Sequence, residues 1–345
     1  MPSLEQLGVV TTRSGVLILI DTGYLKLWSH DRTPEMPEGS LSDEESTARA
    51  NSFVDLRIVG TDAERAGQLL DMSWNPVYVY DQAPAHPELQ SKLDKIVREQ
   101  KLDARFEVIA PRIPHRQRVD LAIRRGKGAG EVQFHGIWAV AVNGVPTSQA
   151  LRVMGERCET PNADRWRQVT IQCRPNQRRV KSQEVGLVAV DYARILIADV
   201  DVLGIWKHDE SLDGLADYVF WGRDAGQIAT AVAAPRVADR EFGWVDVPVE
   251  TARRHGIAVQ EYRDQHSLKV AVDYRPHSHH WQVMKPVREN SPTESSTTEL
   301  DGVTVCNFMT TWGDGLFRVH RDLDDHDELV QIRIEMETMP SSTHS

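Results

Sequence analysis

Residues 195–209, ILIADVDVLGIWKHD, repeat a pattern that the chain has already used at residues 17–31, LILIDTGYLKLWSHD. Laid over each other without a gap, the two stretches share Asp21 with Asp199, Leu25 with Leu203, Trp28 with Trp206, His30 with His208 and Asp31 with Asp209. A recurrence of this kind constrains the whole fold, because each copy has the same face to bury. The match runs back to Gly8 with Gly186 and Val10 with Val188, giving 7 identities over the 24 positions from Gly8 to Asp31. Unrelated segments of that length would share about 1 or 2.

Further blocks follow in the same order. After a long polar insertion at residues 32–52, FVDLRIVGTDA is answered by LADYVFWGRDA, pairing Asp55 with Asp217, Gly60 with Gly222, Asp62 with Asp224 and Ala63 with Ala225. VYVYD, ending at Asp81, is answered by FGWVD, ending at Asp246. IPHRQR and RPHSHH pair His115 with His277. The fold expected is α+β: two tandem copies of one β-rich domain, residues 1–178 and 179–345, with mostly antiparallel sheets and two short helices per copy.

Short β-branched runs place strands at residues 15–20, 53–59, 77–80, 106–110, 118–123 and 131–142, and again at 194–198, 217–221, 267–274 and 280–287. Helices are expected at 63–72 and 87–100, then at 224–233 and 249–255. Asn143-Gly144 is a hairpin signal, and residues 303–311 and 316–320 read as a hairpin across Trp312-Gly313-Asp314-Gly315. The polar stretches 174–184 and 288–299 read as a linker and a disordered loop, and 339–345 as a loose tail.

Bulk properties exclude several classes. At 345 residues, with 40% hydrophobic and 26% charged side chains, the chain is an ordinary soluble globular protein. A net charge of −11 repels nucleic acid and anionic membrane and favours solubility or a basic partner. Three cysteines without a CxxC spacing argue against a disulfide framework or a cysteine zinc site. The longest apolar run is too short to span a membrane, and the N-terminus lacks a secretion signal, so a cytoplasmic location is expected.

The richest cluster of chemistry-bearing residues is Arg275-Pro276-His277-Ser278-His279-His280. On a strand, His277 and His279 would point to one face, and two imidazoles on one face can hold Zn²⁺, with His208 or Asp224 completing the set. The opposing reading is a strand edge whose histidines make ordinary hydrogen bonds. Trp-x-His-Asp reads as a core tryptophan with a supporting histidine in each copy. Asp62 and Asp224 read as helix caps, and the basic run 124–130 as a solvated loop. No GxSxG, HExxH or GxxxxGK[ST] motif occurs.

The segment TTWGDGLFRVHRDLD, residues 310–324, followed by LVQIRIEM, resembles the C-terminal Trp-Gly-Asp-Gly hairpin and closing strand of bacterial polymorphic-toxin immunity proteins and their uncharacterised relatives. The opening GVLILIDTGYL is loosely similar to their N-terminal strand. The resemblance implies a protein-binding or accessory role and carries over no catalytic residues. Two functions are therefore expected to compete. One is a non-catalytic cytoplasmic protein that binds another protein as an immunity or accessory factor. The other is a metal-dependent enzyme or small-molecule binder whose site is His208, Asp224, His277 and His279. Substrate, partner identity and oligomeric state are not encoded legibly.

Overall fold

Residues 17–20 and 195–198 carry large apolar side chains at nearly every position, a pattern that fits only a strand covered on both faces. The computed structural model describes residues 3–28, 30, 52–70, 77–82, 87–147, 149–159, 161–289 and 291–337. The loop expected at 32–52, apart from Ser52, and the tail at 339–345 lie outside the described residues. With strands numbered β1–β19 along the chain, β2 (Val16–Asp21) and β11 (Arg194–Asp199) pair at the centre of a six-stranded sheet. Its order is β16 (Ser295–Leu300), β17 (Val303–Met309), β11, β2, β7 (Ile137–Asn143) and β6 (Ala129–Phe134).

A second six-stranded sheet runs β1 (Leu4–Val10), β8 (Leu151–Arg157), β9 (Trp166–Gln172), β19 (Leu329–Glu335), β18 (Gly315–Leu323) and β10 (Lys181–Val190). The two sheets pack face to face. Leu17, Leu19, Ile195 and Ile197 join Val153, Ile171, Phe317 and Ile332 in one core between them. The alternate residues Ile18, Ile20, Leu196 and Ala198 point the other way, into a core closed by α3 (His115–Arg125) and α6 (His279–Arg288). Each large sheet takes three strands from residues 1–178 and three from 179–345, so the main core is shared across that line.

Two smaller sheets flank this body. One has the order β4 (Tyr78–Gln82), β3 (Val54–Val59), β5 (Arg105–Ile109), and carries α1 (Ala63–Leu69) and α2 (Pro87–Gln100). The other has the order β13 (Arg236–Ala238), β14 (Glu241–Pro248), β12 (Leu215–Trp221), β15 (Ala271–Pro276), and packs α4 (Ala225–Val232) and α5 (Val249–Gln265) on one face. Every strand pairing among the described residues is antiparallel, and the protein is α+β.

Several local expectations change. Residues 118–123 and 280–287 are helical, in α3 and α6, so among the described residues three α-helices of seven residues or more, rather than two, lie on each side of residue 178. Their apolar side chains Val119 and Ile123, and Val283 with Val287, recur every four residues and meet one sheet face, which short runs disguise as alternation. Ser278 caps α6 by accepting the Trp281 N–H at 3.2 Å. Residues 131–142 form two strands that turn at His135 and Gly136, both with positive φ, rather than at Asn143-Gly144. Part of the polar stretch 288–299 is strand β16. Trp312-Gly313-Asp314-Gly315 does not close a hairpin: β17 and β18 belong to different sheets, and the segment crosses between them. There the Trp312 indole N–H donates to the Trp166 carbonyl at 2.6 Å, and Asp314 accepts the Ala193 N–H at 3.0 Å.

Candidate functional site

The four residues that the sequence nominated do not form one ligand set. His279 is the first residue of α6 rather than part of a strand, so it does not share a strand face with His277. Its Nδ1 accepts the Lys207 N–H at 2.8 Å, and its ring lies 5.8 Å from that of Trp206. His208 belongs to the same knot: its Nδ1 accepts the Trp206 indole N–H at 3.2 Å, and its ring lies 4.2 Å from His280. Burial, reinforced by Lys26 and Arg194, lowers the His208 pKa to about 3. Trp28 and Trp206 are both fully buried, and Trp28 sits 5.3 Å from His115 much as Trp206 sits by His279. Asp224 lies elsewhere, at the turn into α4. It pairs with Arg223 and accepts the Lys269 N–H, which hold its carboxyl down at about 2.

His277 enters a different cluster. It leaves the end of β15, where its backbone pairs with Leu215 and Leu212, and its ring stacks 3.9 Å from Trp281. Nδ1 lies 3.0 Å from Asp213 and Nε2 lies 3.1 Å from Asp217, with Asp246 at 3.5 Å from Nε2. Both ring nitrogens therefore face carboxylates. Asp217 also accepts the Asp246 N–H at 2.9 Å and the Trp281 indole N–H at 3.1 Å. Burial pushes the Asp217 carboxyl up, but these donors outweigh it and hold the group below its ordinary range. Asp246 adopts a positive φ of 52° at the bend of β14, which turns its N–H onto Asp217.

A related cluster lies beside the three-stranded sheet. Asp81, with φ 53°, donates its N–H to Asp55 at 2.9 Å. Here the cation is Arg118 of α3, which is 2% exposed and bonds Asp55 at 3.1 Å and Asp81 at 2.7 and 2.9 Å. Its guanidinium lies 4.3 Å from the centre of the Tyr80 ring. Asp81 further accepts the His135 N–H and a bond from Arg112. Burial opposes ionisation of Asp81, and Arg118 with the neighbouring histidines overcomes it, holding the carboxyl well below the usual range.

Among the described residues, two triads bring three ligand atoms within 4.8 Å of one another: Asp81, His115 and His135, and Asp217, Asp246 and His277. The first does not suit a metal ion, since Arg118 and Arg112 already bring positive charge onto Asp81. The second has no arginine ion pair on its carboxylates among the described residues, and Asp246 is exposed with its oxygen 3.5 Å from Nε2 of His277. Sequence reasoning found His277 but not Asp217, Asp246, Asp81, Arg118 or His135 as its counterparts. The usable signal was the recurrence of Asp55 with Asp217 and of Asp81 with Asp246 at strand ends.

Beside the second cluster, the face of the four-stranded sheet turned away from α4 and α5 meets α6 across a groove of ≈ 360 Å³. Val219, Val237 and Val245 line it with apolar side chains, Arg275, Lys285 and Arg288 with cations, Trp281 with an aromatic ring, and Asp217, Glu241, Asp246 and Glu289 with carboxylates. Compared with known proteins, the chain matches no family model, no curated protein and no solved structure.

Proposed function

We propose that this protein is a non-catalytic accessory protein of the immunity type, which acts by binding another protein. One observation carries the reading: the acidic clusters built around buried Asp55 and Asp217 already hold internal cationic or N–H donors. Arg118 bridges Asp55 and Asp81, and His277 bridges Asp213 and Asp217. Groups so engaged stabilise a fold and are poorly placed to activate a substrate. The net charge of −11, which favours a basic partner, supports the same reading. The test is a stoichiometric complex. The protein, tagged and expressed in its own host, should co-elute with one basic partner, and the complex should re-form from the two purified components. Failure of the purified components to associate contradicts the reading.

A second reading keeps a divalent cation at Asp217, Asp246 and His277, favoured by the proximity of their ligand atoms. Zinc binding that is lost in Asp246→Asn supports it over the first.

We also infer that the chain arose by duplication, as two copies related by a pseudo-twofold axis through both large sheets. Support comes from the register of the central pair, Leu17 with Asp199, Leu19 with Ile197 and Asp21 with Ile195, which reads the same from either strand under the sequence alignment. Asp21 accepts the N–H groups of Asp191 and Tyr192, while Asp199 accepts those of Arg13 and Ser14, the aligned positions of the other copy. The Trp–His ring pairs align His115 with His279, two residues away from the His115–His277 match made by sequence.

A further inference from the structure

The three-stranded sheet ends on an edge that the rest of the described chain leaves open. Its middle strand, β3, turns the Ile58 main chain toward β4, where the Ile58 N–H donates to the Val77 carbonyl at 2.8 Å. Main-chain direction alternates along a strand, so Arg57 and Val59 turn theirs toward β5. The register pairs Arg57 with Glu107, Ile58 with Phe106 and Val59 with Arg105. Arg105 and Glu107 therefore bond β3, while Phe106 and Val108 point their N–H and carbonyl groups outward. Among the described residues, these outward groups find no hydrogen-bond partner.

Other sheet edges are answered by side chains. Thr297 accepts the Val9 N–H on β1 at 3.1 Å, and Glu131 accepts the Leu187 N–H on β10 at 2.7 Å. On β4 the Gln82 amide donates to the Tyr80 carbonyl at 2.8 Å. β5 has no such cover, no proline and no bulge, and its Val108 side chain is 57% exposed. An open edge of this kind is a template for another extended strand.

The residues of the edge select which strand. Arg105 and Glu107, opposite in charge, lie on one face of β5. Arg105 has no ion pair among the described residues, and Glu107 has only the exposed Arg57, at 3.8 Å. Suppose β5 meets β5 of a second copy, antiparallel, with Phe106 opposite Phe106. The outward groups of each strand then face those of the other: Phe106 bonds its twin and Val108 bonds Ala104. Arg105 stands opposite Glu107 on both sides of the axis, at the closer, non-bonded spacing. Sliding to the next bonded register in either direction sets Glu107 on Glu107 or Arg105 on Arg105, which opposes association.

We infer that the protein self-associates as a symmetric dimer through β5, joining two three-stranded sheets into one continuous sheet. The inference stands apart from the proposed basic partner, and its test needs only this chain. The experiment follows the full chain over a wide concentration range by sedimentation equilibrium and amide hydrogen exchange. A reversible monomer–dimer equilibrium is expected, with protection of the Phe106 and Val108 amides rising with the dimer fraction. Arg105→Glu should raise the dissociation constant about tenfold or more, because like charges then face each other at both pairs. Adding Glu107→Arg to it restores opposite charges and should restore the dimer; both side chains are exposed, so the fold tolerates the exchange. Val108→Pro, which removes an outward N–H, should abolish the dimer; if that variant fails to fold, the charge exchange decides. A monomer at every concentration, or a dimer whose Phe106 and Val108 amides stay unprotected, would overturn the inference. So would an Arg105→Glu protein that dimerises like the parent, or a charge-exchanged protein that does not recover.

Discussion

Replacing His208 by asparagine should flatten the response of stability to acid. His208 is 7% exposed, and its Nδ1 accepts the Trp206 indole N–H, a role that only the neutral ring can play. Burial lowers its pKa to about 3 from an ordinary 6.5. The folded pKa lies below the unfolded one, so the unfolded chain takes up the proton first. Stability is therefore lost as pH falls from about 6.5 toward about 3. One such group contributes ~1.4 kcal/mol per pH unit in that window, hence about 2–3 kcal/mol between pH 6.5 and 4.5. Asparagine keeps an acceptor near the Nδ1 position and does not titrate. Urea unfolding of both proteins at pH 6.5, 5.5 and 4.5 measures the difference, and other titrating groups cancel between them. The gap should close by about 2 kcal/mol or more on acidification. Parallel curves, constant to within about 0.5 kcal/mol, would refute the neutral buried state of His208.

Arg118→Met should cost about 3–5 kcal/mol, because it strands Asp55 and Asp81 in the interior without their cation; chemical denaturation reads this, and a loss below about 1 kcal/mol contradicts it. Trp206→Ala should cost about 3–5 kcal/mol, since the indole is fully buried, and a thermal midpoint equal to the parent's would place Trp206 outside the core. Gly243→Ala should prevent or cripple folding, because a Cβ there would stand 2.0 Å from the Tyr218 carbonyl oxygen at φ +153°; unaltered stability would show that β12 and β14 do not approach as described.

The sequence was most readable where burial is two-sided. The runs at 17–20 and 195–198 have no polar face, and they became the paired centre of one sheet. The helices α3 and α6 were misread because each presents only a few apolar residues to the sheet, and Pro286 inside α6 weakens the helical signal further. The histidine run is misleading because the strand ends at Pro276 and α6 begins at His279, so the two histidines do not share a strand face. Asp81 and Asp246 recur at matching strand ends, but their role is not legible because it depends on a positive φ, which aspartate tolerates without any sequence signal. Arg118 lies far in sequence from both of its carboxylates, and one-sequence periodicity carries no information about such a pairing.

Zinc analysis of untagged protein tests most directly whether the acidic clusters are satisfied from within. After equilibration with Zn²⁺ and removal of loose metal, the chain is expected to retain far less than one zinc per molecule, with no dependence on Asp246 or His277. One tightly held zinc per chain, lost in Asp246→Asn and in His277→Gln while both variants stay folded, would contradict the account and make the second cluster a metal centre.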